Sequence, residues 1–160
     1  MKPLVYIESS IISYLAAKPA RDIVSLARQA ITHEWWEYCR NEYSLAVSIL
    51  VKREISKGDK DAASKRLEFI TDLAYLDITN SALAISEELL NSSAVPKGSE
   101  EDALHIGIAA SQGVDYLLTW NFKHINNATM KNKIASTIER MGFTCPLLCS
   151  PEELGGVIND

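Results

Sequence analysis

Apolar residues along this chain keep two rhythms: short unbroken runs, and longer stretches in which they recur every three or four positions. Unbroken runs bounded by polar residues suit strands buried on both faces, and the wider spacing suits amphipathic helices. Leu4 to Ile7 reads as a first strand that ends at Glu8. Ser9 or Ser10 then caps a helix starting at Ile11-Ile12. A longer helix is predicted from about Asp22 to Tyr43, with Ile23, Leu26, Ala27, Ala30 and Ile31 on its apolar face. Ser44 to Ser48 reads as the second strand. A helical stretch carrying Glu54 follows, broken at Lys57-Gly58-Asp59 and resumed from Lys60 to Leu73. Ala74 to Ile78 is the third strand, and Thr79 or Asn80 caps a helix over Ser81 to Asn91.

Beyond the loop Pro96-Lys97-Gly98-Ser99, Ser99 with Asp102 fits the cap-and-acid pattern of a helix start. This helix runs through Leu104, Ile106, Ile108 and Ala110 to a stop at Gly113. Val114 to Thr119 is the fourth strand, and a polar loop from Trp120 to Asn127 leads to a helix over Thr129 to Met141, closed by Gly142. Thr144 to Cys149 forms a final short strand, and Ser150-Pro151-Glu152-Glu153 opens a terminal helical turn. Strands alternating with helices imply an α/β domain, a parallel sheet of four to five strands with helices on both faces. No Pro-, Gly- or Ser-rich linker and no repeat interrupts residues 1–160, which read as a single domain.

In such sheets, sites lie beyond the carboxyl ends of the strands. That rule selects Glu8 after the first strand, Glu54 after the second and Asn121 after the fourth. Asp102 opens the helix that leads into the fourth strand and belongs to the same end. Several carboxylates at one sheet end repel one another unless a cation joins them. Hard oxygen ligands on a partly wet edge suit Mg²⁺ or Mn²⁺, which lowers the pKa of water and stabilises charge on an attacked phosphate. The chemistry implied is phosphodiester hydrolysis without a covalent intermediate. Gly-rich phosphate loops, a Gly-x-Ser-x-Gly elbow and a Cys with a His partner are all missing from the sequence.

Composition narrows this further. Hydrophobic residues at 47% and charged residues at 23% are those of a globular protein. Sixteen Lys and Arg against 21 Asp and Glu give a net charge of −5, which excludes broad, sequence-blind coating of a polyanion. The cations are locally concentrated. Residues 52–66 hold six of them against three acids, and residues 121–140 hold four against Glu139, so the two segments flank Glu54 and Asn121. Cys39, Cys145 and Cys149 are too few for a disulfide framework and lack a second ligand pair for zinc. They read as buried or idle thiols of a reducing cytoplasm. An apolar run of four residues before Glu8 is too short for a signal peptide or a membrane span, so the expectation is a cytoplasmic protein with no membrane association.

Four blocks of the sequence resemble the PIN-domain nucleases. They are Val5-Tyr6-Ile7-Glu8-Ser9-Ser10, Val51-Lys52-Arg53-Glu54-Ile55, Asp102-Ala103-Leu104-His105-Ile106-Gly107-Ile108-Ala109, and Val114-Asp115-Tyr116-Leu117-Leu118-Thr119-Trp120-Asn121-Phe122-Lys123-His124-Ile125. The fourth is most similar to the VapC-type toxin branch, and the order and spacing of all four match over nearly the whole chain. The resemblance implies a PIN-like three-layer fold and a metal-dependent endoribonuclease. It also implies the toxin of a toxin-antitoxin pair, dimeric and held by a small antitoxin. Carried over by position, Glu8, Glu54 and Asp102 would bind Mg²⁺ or Mn²⁺, with Asn121 assisting. The family's first acid is normally Asp, and Glu8 is one methylene longer.

Neighbouring groups take supporting roles in this reading. Ser10, Thr119 and His124 support the metal site, His105 orients it, and Asp102 is the acid of Glu100-Glu101-Asp102 expected to turn inward. Asp115 reads as structural. Of Trp35 and Trp36, one belongs to the core and the other to a partner surface. The competing class is a PIN-shaped interaction module, with catalysis weakened at Glu8 and the shape kept for dimerisation or antitoxin binding. DNA in place of RNA is a third option.

Overall fold

Five short parallel strands organise the computed structural model, which describes residues 1–155. They are β1 (Leu4–Ile7), β2 (Ser44–Ser48), β3 (Ala74–Leu76), β4 (Tyr116–Leu118) and β5 (Leu147–Cys149), in the order β3-β2-β1-β4-β5. Tyr6 is registered with Ala46 of β2 on one side and Leu117 of β4 on the other. Both neighbours being parallel, β1 is buried on both faces and reads as the continuous apolar run the sequence contains.

Seven α-helices connect the strands: α1 (Ser9–Ala16), α2 (Ile23–Glu34), α3 (Ile49–Ile55), α4 (Lys60–Phe69), α5 (Asn80–Asn91), α6 (Glu100–Ser111) and α7 (Lys131–Arg140). From β1 the chain steps through β2 to β3 in one direction, and from β4 to β5 in the other. Parallel crossovers are right-handed, so this reversal puts α1 to α4 on one face and α5 to α7 on the opposite one. The packing agrees, with α1 against α2, α3 and α4, and α5 against α6 and α7. The reversal falls between β1 and β4, where a crevice opens at the carboxyl ends of the strands. Helices α5 and α6 approach closely at Gly107. A Cβ on Gly107 would come 2.4 Å from the Ala82 carbonyl oxygen, so only glycine fits there.

Several local expectations are corrected. The Asp22–Tyr43 helix is α-helical only to Glu34, continues as a π-helical turn over Trp35–Cys39 and ends as a 3-10 turn over Arg40–Glu42. Most of its apolar stripe faces outward: Ile23 is 83% exposed and only Ile31 of the stripe packs against the core, while Gln29 and Thr32 are the buried residues of α2. Burial follows hydrogen bonding here rather than hydropathy. Gln29 holds the loop before α2 by accepting from the Ala20 N–H at 2.8 Å and donating to the Lys18 carbonyl at 2.9 Å. The Thr32 hydroxyl accepts from the Trp120 indole at 2.7 Å and donates to the Arg28 carbonyl at 2.6 Å.

Ser9, Ser10 and Ser99 do not cap their helices; Glu8 and Ser99 occupy the N-cap positions without a side-chain cap bond. The Lys60–Leu73 helix stops at Phe69, and the third, fourth and fifth strands are shorter than read. Ser150 to Glu153 forms a hydrogen-bonded turn. Trp35 is buried and Trp36 half-buried against Phe69 and Arg40. Asp115 is structural, its Oδ2 accepting from the Leu4 N–H at 2.8 Å. All three cysteines are free, and burial pushes the thiols up, to about 11 at Cys145 and about 12 at Cys149. Among the described residues, no helix is long and apolar enough to cross a membrane.

Candidate metal centre

Glu8 leaves β1 with extended backbone and donates its N–H to the Leu118 carbonyl at 3.1 Å, one step beyond the β1–β4 ladder. Its side chain turns into the crevice and is 6% exposed. One oxygen, Oε1, accepts from the Ser10 hydroxyl and from the Thr119 hydroxyl at 2.6 Å. Those hydroxyls are themselves fixed. Ser10 accepts from the Trp120 N–H at 2.9 Å, and Thr119 accepts from the Asn121 N–H at 2.9 Å. The first turn of α1 and the exit of β4 thus meet on a single carboxylate oxygen. Among the described residues no Lys or Arg lies within 4.0 Å of Glu8.

Glu54, in the last turn of α3, faces Glu8 across the crevice. Its Oε1 accepts from Ser9 and from His105 Nε2 at 2.6 Å. His105 is wholly buried on α6, and its Nδ1 lies 2.8 Å from the Tyr6 hydroxyl, which lies 2.7 Å from the Ser48 hydroxyl. Ser48 caps α3 by accepting from the Val51 N–H. Side chains from β1, β2 and α6 therefore form a relay that ends on one glutamate. Ligand atoms of Glu8, Glu54 and His105 all lie within 4.8 Å of one another. Both ring nitrogens of His105 are already engaged, so it holds Glu54 in place.

The electrostatics follow from these contacts. Burial, the largest influence, would raise the Glu54 pKa. The His105 hydrogen bond and charge, with contacts to Glu101 and Ser9, outweigh it and hold the carboxyl at about 2. For His105, burial lowers the pKa, but the bond to Glu54 and the charges of Glu8, Glu54 and Asp102 together raise it above the ordinary value. Burial pushes the Tyr6 phenol well up, so it stays protonated and can donate.

Asp102 stands outside the Glu8–Glu54–His105 group. Its Oδ1 accepts from Asn121 Nδ2 at 3.0 Å and its Oδ2 lies 2.9 Å from His124 Nδ1. Asn121 Oδ1 accepts from the Lys123 and His124 N–H groups, which orients its NH₂ toward Asp102. An aspartate at 121 would have no such donor. Ser99, expected as a cap, places its hydroxyl 3.1 Å from His124 instead. A cavity of about 360 Å³ opens here, lined by Gly98, Ser99, Glu100, Glu101, Asp102 and His124.

Three residues at this centre went unread in the sequence, and Ser9, which donates to Glu54, was read only as a helix cap. Glu101 lies against Glu54, a contact that raises its own pKa, and Lys57 Nζ approaches it at 3.9 Å. Only one acid of Glu100-Glu101-Asp102 was expected to turn inward, but Glu101 and Asp102 face different parts of the crevice. Tyr6 and Ser48 lie in strands and read as strand residues. The only available signal was that a phenol in a fully apolar strand needs a hydrogen-bond partner. Of the flanking cations, Arg66 is committed to the Ile55 and Lys57 carbonyls; outside those segments, Arg28 on α2 stacks over Trp120 and Phe122.

This architecture has a solved counterpart. A chain of VapBC2 from Rickettsia felis, bound to a DNA fragment from their promoter, aligns with a TM-score of 0.60 at 17% identity, covering 92% of this chain and 98% of that one. The two chains share one fold. It is the PIN-like α/β arrangement, a parallel sheet between two helical layers. A chain of VapBC-5 from Mycobacterium tuberculosis, a member of the VapBC family of toxin-antitoxin systems, aligns at a TM-score of 0.47 and 16% identity, over 78% of this chain and 92% of that one. No protein-family model and no curated protein sequence matches the chain.

Proposed function

We propose that this chain is a metal-dependent endoribonuclease of the VapC-type PIN class, the toxin of a toxin-antitoxin pair. The observation that carries the reading is the meeting of Glu8 and Glu54 at the sheet's switch point, with Glu8 nearly sealed from solvent and no Lys or Arg beside it. Like charges so placed call for a cation. Oxygen donors on rigid elements fit Mg²⁺ or Mn²⁺, held by Glu8 and Glu54 with Asp102 at the margin. When bound, such an ion supplies Lewis acidity toward a phosphodiester and lowers the pKa of water.

The chain's own residues do the positioning. Ser9, Ser10, Thr119 and His105 fix the two glutamates. Asn121 and His124 fix Asp102 and the loop after β4. Lysines in residues 52–66 and 121–140 lie along the chain on either side of Glu54 and Asn121 and can meet backbone phosphates of RNA. A second copy of the chain and a small antitoxin complete the reading as partners. The outward apolar face of α2, with Ile23, Val24 and Leu26 exposed, is available to a protein partner.

Cleavage of a panel of structured RNAs, with matched DNA strands alongside, tests the proposal. RNA is expected to be cut with Mg²⁺ or Mn²⁺, cutting is expected to stop with chelator, and Glu54→Gln and Asp102→Ala are each expected to lower the rate at least ~100-fold. Equal cleavage by the variants would place the activity elsewhere. Absence of any cleavage by the intact chain, together with tight binding of a protein partner, would favour the interaction module.

A further inference from the structure

Glu8 and Glu54 come from different elements, yet their carboxylates are restrained in the same way. In each, Oε1 takes two hydrogen bonds, from Ser10 and Thr119 at Glu8 and from Ser9 and His105 at Glu54. Each pair combines a hydroxyl from the first turn of α1 with a group from elsewhere in the fold, Thr119 beyond β4 or His105 on α6. A carboxylate oxygen has about two lone-pair sites, so two donors occupy it fully.

We propose that these four donors make Glu8 and Glu54 one-oxygen ligands and thereby select a small, hydrated, octahedral cation over calcium. The inference rests on the metal-site reading above. Among the described residues, no hydroxyl or imidazole reaches Oε2 of either glutamate. The further neighbour of Glu54 is the Glu101 carboxyl, whose hydrogen-bonding contact with Glu54 raises its own pKa. Calcium fills a shell of about 6–8 oxygens and commonly takes both oxygens of a carboxylate, whereas Mg²⁺ holds ~2.0–2.1 Å octahedral geometry, keeps waters and uses one or two carboxylates. With Oε1 occupied, neither glutamate has a two-oxygen edge to offer. Ser9 makes the point most cleanly. A capping serine would turn back to the α1 backbone, but this hydroxyl is spent on Glu54 alone.

Electron paramagnetic resonance of Mn²⁺ bound to the full chain, with Ca²⁺ as competitor, reads this without reference to cleavage. Wild type is expected to bind Mn²⁺ and to release it only at large Ca²⁺ excess. Thr119→Val and Ser9→Ala each uncover a lone pair on one Oε1. Each is expected to weaken Mn²⁺ about 10-fold and to let Ca²⁺ compete at a correspondingly lower excess. Thr119→Ser should restore the wild-type ratio, and Ser136→Ala on the exposed side of α7 should leave it unchanged. Circular dichroism checks that every variant is folded. If Thr119→Val does not fold, Ser9→Ala carries the test. Mn²⁺ binding with equal displacement by Ca²⁺, or variants that keep the wild-type ratio, would overturn the selection mechanism alone. No Mn²⁺ binding by wild type would overturn it together with the metal-site reading.

Discussion

At the scale of single residues, the Glu54–His105 contact controls both geometry and charge. The chain of groups behind it reverses direction with the state of the imidazole. With His105 neutral, Val51 N–H, Ser48 and Tyr6 donate in sequence toward Nδ1. With it charged, Nδ1 donates to Tyr6, and Tyr6 donates to Ser48. The pKa shifts set a pH window. Glu54 drops from 4.5 to about 2 on folding, so its contribution to stability is present above 4.5 and lost as pH falls through about 2. His105 is raised above 6.5, so its contribution is full below 6.5 and lost as pH rises through the higher folded value. Urea unfolding of wild type minus that of Glu54→Gln should therefore peak between pH 4.5 and 6.5 and decline on both sides. A flat difference would show that the two groups are not coupled.

Elements make the next level, and here the sequence was legible unevenly. The apolar runs locate all five strands, and the strand-end rule singles out Glu8, Glu54 and Asn121 from the sequence. Parallel strands buried on both faces carry that signal openly. Helix α2 did not, because its inward positions are Gln29 and Thr32, polar groups that complete hydrogen bonds of a loop and an indole. Hydropathy assigns such positions to solvent. Ser9, Ser10 and Ser99 misled for a related reason: a serine at a helix start has two possible partners, and only the fold shows that the nearby acids and His124 take it. The link from Tyr6 through His105 to Glu54 spans three elements and leaves no periodic trace. Gly107 is a case where packing decides. Gly107→Ala must push Ala82 away from a 2.4 Å contact, and urea denaturation should register a loss of about 1–3 kcal/mol. An unchanged midpoint would mean that α5 and α6 can slide apart freely.

Taken whole, the molecule brings the carboxyl ends of β1 and β4 together where the direction of the sheet reverses, and puts its most buried acid there. The net charge of −5 then has a local meaning. Several of the acids face one crevice, and the cationic segments 52–66 and 121–140 lie along the chain beside Glu54 and Asn121. Broad polyanion coating stays excluded, while a held phosphodiester suits that arrangement. On the proposed reading, Glu8 and Glu54 together hold a divalent cation. Anomalous diffraction from crystals soaked in Mn²⁺ addresses it most directly. A manganese peak in contact with both carboxylates is expected, and its loss in Glu8→Ala. A peak only elsewhere on the surface, or none at all, would contradict it.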